Sequence, residues 1–183
     1  SICPNGFNRD DFVCALKTLG ATWYTAGATH QRAIMSWLKD TPAIAHGLSL
    51  RFARSGSSPL PESVRVFIEA ALKVPLVESY SSTETGTMTA NPPFGKRKAG
   101  SVGCGSAEEL AILGEDGQPL PAGMTGEVAV RGDCVFAGYE ADGTIDRGAF
   151  RSGWFCTGDI GQIDQEGYLT LSGRIKDIIN RGG

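Results

Sequence analysis

Two side chains near the C-terminal end of the chain have the chemistry needed to hold a ligand rich in hydroxyl groups. Asp159 follows a Thr-Gly pair within residues 153–161, and Arg174 lies further along. A carboxylate accepts hydrogen bonds from a vicinal diol such as ribose, and a guanidinium donates a planar fork to oxygen atoms. The pair makes a nucleotide the first ligand to consider. Taken alone, however, it favours an ordinary β-hairpin with an aspartate in its turn and an arginine on its surface.

A second candidate segment, with the sequence Tyr-Ser-Ser-Thr-Glu, occupies residues 80–84. Tyr80 ends a predicted strand, where its ring can lie rigidly against a flat base such as adenine. Thr83 offers a hydroxyl to a phosphate oxygen, and Glu84 offers a carboxylate to Mg²⁺. The alternatives are an aromatic residue at the edge of the core, a helix cap and a glutamate in a first helical turn. Together with the downstream pair, these residues favour a nucleotide site.

The composition excludes several classes of protein. The chain has 183 residues, enough for one ordinary domain or slightly more. Its net charge of −3 argues against a nucleic-acid-binding surface. Five scattered cysteines indicate buried or half-buried free thiols in a reducing compartment, and two histidines are too few for a zinc cluster. We see no membrane-spanning run and no targeting signal, so we expect a cytoplasmic location, with the peroxisome as the alternative.

Residues 1 to about 90 alternate helical and extended patterns. Apolar spacing predicts a helix capped by Asn8, a second helix over about 29–39 and a third that starts near Pro61. Strands are predicted at 21–25, 48–52 and 75–80. Such alternation is typical of βαβ units and a parallel sheet, which bind ligands beyond the carboxyl ends of their strands. Two small, hydroxylated loops leave those ends, at residues 54–58 and 81–84.

The pattern changes after residues 91–93, where glycines multiply and short strands alternate with turns. Strands are predicted at 110–113 and 125–131, and a hairpin at 161–171. The predicted fold class is therefore α/β, with part of a parallel or mixed sheet flanked by helices, followed by a β-rich, barrel-like subdomain. The predicted division is an α/β subdomain at 1–95, a β-rich subdomain at 96–172 and a short hinge segment at 173–183.

Five segments carry short motifs of glycine, hydroxyl and acidic residues. In chain order they are Arg-Ser-Gly-Ser-Ser-Pro-Leu at 54–60, Tyr-Ser-Ser-Thr-Glu at 80–84, Gly-Glu-Val-Ala-Val-Arg-Gly at 126–132 with Gly-Tyr at 138–139, Trp-Phe-Cys-Thr-Gly-Asp at 154–159 and Gly-Arg-Ile-Lys-Asp at 173–177. Together they resemble the motifs of the acyl-adenylate-forming (AMP-binding) enzymes, which include acyl-CoA synthetases, the adenylation domains of peptide synthetases and firefly luciferase. The resemblance covers most of the chain.

The resemblance implies a role for each matching residue. Thr83 and Glu84 form the catalytic pair, in which Thr83 contacts phosphate and Glu84 holds Mg²⁺. Lys176 occupies the hinge about which a small C-terminal domain of the family rotates. Tyr80 packs on adenine with the Gly56 loop at its edge, and Asp159 binds the ribose hydroxyls with help from Arg174. The implied cofactor-binding residues are Gly56, Ser57, Ser58, Tyr80, Ser81, Asp159 and Arg174.

The chemistry that the resemblance implies is an ATP-dependent acid–thiol ligation. A carboxylic acid and ATP form an acyl-AMP and pyrophosphate, and coenzyme A then captures the acyl group as a thioester. Ser81 stands where the family usually has glycine, beside the acyl pocket, and its hydroxymethyl group favours a short or polar acid. The chain looks most similar to oxalate–CoA and other small-acid–CoA ligases. Its partners would be a small carboxylic acid, ATP and coenzyme A.

The family's phosphate-gripping loop and its lysine-bearing C-terminal domain are absent from this sequence. We therefore expect the chain to be a central piece of a longer enzyme and, in isolation, to be inactive or nearly so. Two alternatives stay open. One is an adenylation domain that loads a carrier-protein thiol, and the other is a non-catalytic binding or scaffold domain of the same fold.

Overall fold

The computed structural model describes residues 7–106 and 109–177, which fall into two compact units. The first comprises Ser1–Ser79 and Pro92–Ala99, and the second comprises Tyr80–Asn91 and Gly100–Gly183. The segment Tyr80–Asn91 thus groups with the second unit, whereas the sequence places its first boundary at residue 95. The predicted division of the chain at 95 and 172 stays a prediction, and residues 178–183 of the predicted hinge segment lie outside the described residues.

The first unit is built from three helices, two strands and the first part of a third strand, and the three strands run parallel. Asn8 caps the first helix, since its side chain accepts a hydrogen bond of 2.9 Å from the Asp11 N–H, as predicted. Strand pairing runs β1 to β2 and β2 to β3, both parallel. A short 3₁₀ helix, Pro42–Ala45, follows α2. In chain order the elements are α1 (Arg9–Lys17), β1 (Trp23–Gly27), α2 (Ala28–Asp40), β2 (Phe52–Gly56), α3 (Glu62–Leu72) and β3 (Leu76–Ser82).

The core of the first unit lies between α2, α3 and the strands. Ile34 and Leu38 come from α2, and the apolar stripe of α3 is buried at Val64, Ile68 and Leu72. These positions are three or four residues apart, so they share one helical face. The predicted helices are therefore confirmed to within one or two residues at their ends.

Two sequence-based expectations for this unit are wrong. The alternation of Leu48 and Leu50 predicts a strand over 48–52, but β2 begins only at Phe52. Leu48 and Leu50 instead pack, half-buried, against the core of the unit. The apolar alternation at 48–50 therefore reflects packing against the core by residues that lie outside the sheet. Cys14, in α1, is exposed rather than buried, as is Cys134 of the second unit.

The second unit is made of antiparallel strands. Its main sheet has the order β11-β10-β6-β5, with β9 also paired to β10, and β7 pairs with β8 in a separate hairpin. The α/β class followed by a β-rich part is confirmed. The strands are β4 (Gly86–Ala90), β5 (Leu110–Leu113), β6 (Thr125–Val130), β7 (Tyr139–Ala141), β8 (Thr144–Asp146), β9 (Phe150–Arg151), β10 (Trp154–Ile163) and β11 (Leu169–Arg174).

Alternating side chains cover both faces of the main sheet. Ile112, Val128 and Phe155 belong to the larger apolar cluster on one face. Their strand neighbours Leu113 and Ala129 belong to a smaller cluster on the other. Because successive side chains in a strand point to opposite faces, this division fixes the register of β5, β6 and the first part of β10.

Within the described ranges, the structure contains no helix long and apolar enough to cross a bilayer.

Candidate functional site

The Thr-Gly-Asp segment forms a bulge in β10. Cys156 pairs with Ala129, and Ile160 pairs with Glu127, so the three residues between Cys156 and Ile160 face Val128 alone. Two extra residues are thereby accommodated on the β10 side. Bulges of this kind bend a strand and re-aim its side chains, and they occur often beside active sites.

Hydrogen bonds within the second unit hold the bulge in shape. The Thr157 hydroxyl donates to the Val128 carbonyl at 2.8 Å and accepts from the Asp159 N–H at 3.1 Å. Gly158 has a φ of +74°, a conformation that glycine adopts at little cost. Its N–H donates to Oε1 of Glu127 at 3.1 Å. The orientation of Asp159 is therefore set by its own turn and by the neighbouring strand.

The Asp159 carboxylate is buried, with the residue 7% exposed. Its Oδ2 accepts a hydrogen bond from the Tyr80 hydroxyl, and its Oδ1 accepts one of 2.8 Å from Nε of Arg174. Arg174 stands directly opposite Asp159 in the pairing of β10 with β11. The structure thus brings these three predicted residues together. Because a carboxylate can accept about four hydrogen bonds, Asp159 keeps capacity for a diol.

Tyr80 contributes its ring to the apolar core of the second unit and is only 9% exposed. Burial, together with the hydrogen bond to Asp159, raises the pKa of the Tyr80 hydroxyl, which therefore stays a donor at neutral pH. These contacts agree with the alternative in which Tyr80 is an aromatic residue at the edge of the core. A contact between Tyr80 and adenine stays a prediction.

Glu84 lies in the turn that joins β3 to β4. No helix follows, so the alternatives of a Thr83 helix cap and a first-turn glutamate are wrong. Oε1 of Glu84 accepts a hydrogen bond of 2.9 Å from the Tyr139 hydroxyl. The pKa of Glu84 is lowered mainly by its own backbone N–H, then by Tyr139 and Ser82, and also by the positive charge of Arg174. Glu84 is therefore ionised at neutral pH and lies within the electrostatic reach of the arginine that contacts Asp159.

Glu84, as a single carboxylate, fits a metal site in which most of the other ligands come from water and the substrate. Among residues 7–106 and 109–177 there is no group of three or more histidine, cysteine, aspartate or glutamate side chains able to hold a metal ion. Mg²⁺ often binds through one or two carboxylates together with waters and substrate phosphates. An ionised, half-exposed Glu84 fits that arrangement, in which most of the ligands arrive with the nucleotide.

The remaining predicted residues have varied surroundings. Ser81 and Thr83 are exposed in the second unit, as is Lys176 in the 3₁₀ turn Ile175–Asp177. Gly56 ends β2 in the first unit, and Ser57 and Ser58 follow it in an exposed loop.

Gly56, the last residue of β2, leaves little room for a larger side chain. A Cβ added at Gly56 would lie 3.3 Å from Oγ of Ser79, a tight contact within the same unit. Ser57 has a φ of +70°. Just before the loop, the Ser55 hydroxyl is buried with no hydrogen-bond partner in the described part of the chain. The loop is thus strained and incompletely satisfied, as loops that bind ligands often are.

Two residues of this site carry no role in the sequence-based assignment. Tyr139 is noted there only as part of a Gly-Tyr turn, and its partner Glu84 is distant in sequence. Glu127 accepts a hydrogen bond from the Gly158 N–H and forms an ion pair with Nη1 of Arg151 at 3.1 Å. A lone acidic residue in the apolar strand 125–130 is the signal that indicates such a buried partner.

Comparison with known proteins identifies the family. Residues 1–140 match the family model described as "AMP-binding enzyme". The chain is 41% identical over 180 residues to an oxalate–CoA ligase of Arabidopsis thaliana, covering 97% of this chain and 35% of that protein. It is 36% identical over 185 residues to a sulfoacetate–CoA ligase of Cupriavidus necator, covering 100% and 36%. The chain belongs to the AMP-binding enzyme family.

Solved structures agree with this assignment. The apo structure of MatB from Rhodopseudomonas palustris matches with a TM-score of 0.81 and 30% identity over 94% of this chain and 34% of that one. O-succinylbenzoate coenzyme A synthetase (MenE) from Bacillus subtilis, in complex with ATP and magnesium ion, matches with a TM-score of 0.81 and 27% identity, covering 97% and 36%. The chain spans about a third of the length of the curated relatives it matches.

Proposed function

We propose that the chain is part of an ATP-dependent carboxylic acid–CoA ligase of the AMP-forming type. The observation that carries the proposal is the buried Asp159 carboxylate, held between Tyr80 and Arg174 at a Thr-Gly-Asp bulge, in a chain that belongs to the AMP-binding family. The relatives at 36–41% identity are named as CoA ligases, which favours coenzyme A over a carrier-protein thiol as the acceptor.

In this proposal Asp159 accepts hydrogen bonds from the ribose diol, and Arg174 adds positive charge beside it. Thr83, exposed in the turn after β3, donates its hydroxyl to a phosphate oxygen. Glu84 holds Mg²⁺, which when bound neutralises phosphate charge. These residues act by positioning and by electrostatic stabilisation, since an in-line displacement at phosphorus needs no protein nucleophile. Gly56, Ser57 and Ser58 border the adenine, and Lys176 marks the hinge.

We further propose that the acid is short and polar. Ser81 is exposed on β3, and its hydroxymethyl group would reduce the depth of an acyl pocket that glycine would leave open. Two of the relatives are named for oxalate and sulfoacetate, both small and doubly acidic. The test is pyrophosphate release by the full-length enzyme with a panel of acids. Preference for a long-chain or aromatic acid would contradict this specificity.

The assigned role of Asp159 is tested by Asp159→Ala in the full-length enzyme. Loss of hydrogen bonds to a charged group costs about 1.5–3 kcal/mol, so we expect kcat/KM for ATP to fall on the order of 10- to 100-fold. Asp40→Ala, which removes an exposed aspartate at the end of α2, is a matched control. Unchanged ATP kinetics in the Asp159 variant would contradict the proposal.

Transfer of the acyl group to a carrier protein but not to coenzyme A would support the adenylation-domain alternative.

A further inference from the structure

Tyr139 places a polar group on the Glu84 turn from a separate segment of the second unit. It begins β7 and is 48% exposed, so burial does not explain the position of its ring. The ring packs edge-on against Phe136, with centroids 4.8 Å apart and planes at 73°. Phe136 in turn packs against Phe155, a member of the core of this unit. The Tyr139 ring is therefore anchored on one side and leaves its hydroxyl directed at Glu84.

The same short segment also holds the backbone of Glu84. The N–H of Phe136 donates to the Glu84 carbonyl at 2.8 Å, while the Tyr139 hydroxyl donates to Oε1 at 2.9 Å. Residues 136–139 thus attach to Glu84 at two points, one on its main chain and one on its side chain. Two attachments restrict both the turn and the rotamer of the glutamate, which an exposed side chain would otherwise sample freely.

We propose that Tyr139 is a positioning residue for Glu84, and that its hydroxyl holds the carboxylate in the orientation that receives a nucleotide-bound divalent cation. The inference rests on the proposed function of Glu84 in this same site. A carboxylate can accept about four hydrogen bonds, so the bond from Tyr139 leaves capacity for the cation. Tyr139 itself does not need to touch the nucleotide or the metal ion.

The experiment compares Tyr139→Phe with the wild-type full-length enzyme. Mn²⁺ replaces Mg²⁺, and its binding to the enzyme with ATP, in the absence of any acid, is measured by electron paramagnetic resonance. No turnover occurs under these conditions, so the readout is independent of activity. Loss of one hydrogen bond to Glu84 is expected to weaken Mn²⁺ affinity about 3- to 10-fold. The Mg²⁺ concentration for half-maximal pyrophosphate release should rise by a similar factor, with little change in kcat at saturating Mg²⁺.

Three further variants make the result decisive. Ile145→Thr alters an exposed residue of the same β7–β8 hairpin and should leave Mn²⁺ affinity unchanged. Glu84→Gln should weaken it, and the double variant should bind Mn²⁺ no worse than Glu84→Gln, because the hydroxyl then has no carboxylate to hold. Circular dichroism and thermal unfolding show whether each variant is folded.

The outcomes separate the two proposals. Normal Mn²⁺ binding by Glu84→Gln would overturn the metal-binding role of Glu84 and, with it, this inference. Weak binding by Glu84→Gln with normal binding by Tyr139→Phe would overturn the inference alone. The inference would also be overturned if the loss of Mn²⁺ affinity in the double variant equalled the sum of the losses in the two single variants.

Discussion

Asp159 is buried and Arg174 is exposed, and this difference in exposure decides which contact fixes the Asp159 carboxylate. The Arg174 side chain is 69% exposed, so solvent screens its attraction to Asp159, and exposed ion pairs contribute about 1 kcal/mol or less. Tyr80 approaches from the buried side, where a hydrogen bond to a charged group counts for more. The buried phenol therefore fixes Asp159, while the exposed guanidinium is the partner that can adjust to a ligand.

Tyr80→Phe tests this assignment. The ring stays in the core, but the buried Asp159 carboxylate loses one of its two side-chain hydrogen bonds, the one from the buried phenol, so we expect a loss of about 1–3 kcal/mol in the free energy of unfolding. Urea unfolding followed by tryptophan fluorescence measures it. Tyr139→Phe removes a similar bond on a half-exposed ring and should change stability by less than about 0.5 kcal/mol. Equal losses in the two variants would contradict the distinction.

Glu78, in the part of β3 that belongs to the first unit, predicts a pH effect on stability. Burial raises the pKa of Glu78, and the opposing attraction of Arg65 is smaller. The folded state therefore favours the protonated form. The stability that this group adds is full below its unfolded pKa and is lost as pH rises through the higher folded pKa. We expect Glu78→Gln to raise Tm at pH 7 and to lose that advantage as pH falls towards 4.

A control for this prediction lies on α3. The pKa of Glu62 is lowered, mainly by its hydrogen bond with Arg65, so its carboxylate is favoured by folding. Its side chain is 58% exposed, and Glu62→Gln should therefore lower Tm slightly or leave it unchanged at pH 7. A decrease in Tm for Glu78→Gln at neutral pH would show that the attraction of Arg65 outweighs burial.

At the scale of elements, the sequence predicts helices and isolated strands well. The stripe of α3 and the strand Leu110–Leu113 follow from local periodicity, and the structure confirms them. The start of β2 is different, because pairing with β1 and β3 decides it, and a pattern at 48–52 carries no information about those neighbours. The bulge in β10 is likewise invisible in the sequence, since it exists only relative to the register of β6.

The backbone of the bulge gives a prediction at this scale. Gly158 has a φ of +74° and open space around an added Cβ, so Gly158→Ala meets no clash and only the strain of a left-handed alanine. That strain costs about 1–2 kcal/mol. Gly173→Ala, in β11, also has open space and lacks a positive φ, and should be nearly neutral. Guanidinium unfolding of both variants measures the difference, and an equal loss in each would exclude backbone strain as the cause.

At the scale of the whole molecule, each unit has an apolar core of its own. Ile34, Ile68 and Leu76 belong to the core of the first unit, and Val128 and Leu169 to that of the second. Each core comes from elements that are mostly consecutive in the chain. The exceptions are β3, whose last residues from Tyr80 onward join the second unit, and Pro92–Ala99, which returns to the first unit.

Ile68→Ala tests the local character of the first core. Removing a fully buried isoleucine leaves a cavity and should cost about 2–5 kcal/mol. Hydrogen exchange read by mass spectrometry should show the loss of protection in α2 and α3. Val66→Ala, on the exposed side of α3, is the control and should leave exchange unchanged. Protection lost equally in β6 and β10 would contradict a separate core.

The candidate site shows what motifs reveal and what they omit. Tyr80, Asp159 and Arg174 are predicted from their types and order, and the structure brings them together. Tyr139 and Glu127 stay unassigned because their importance depends on partners that only folding brings near. Their residue types are compatible with many surface positions, so local sequence alone does not select them.

The bulge at 157–159 has a consequence for insertions and deletions. It adds two residues, an even number, so every side chain of β10 beyond Ile160 keeps the facing it would have in a regular strand. In a regular ladder, losing one of the two extra residues would turn Ile163 away from the apolar cluster that it packs against, so the residue that remains would have to be absorbed as a one-residue bulge. Losing both extra residues would leave Ile163 on the same face without a bulge.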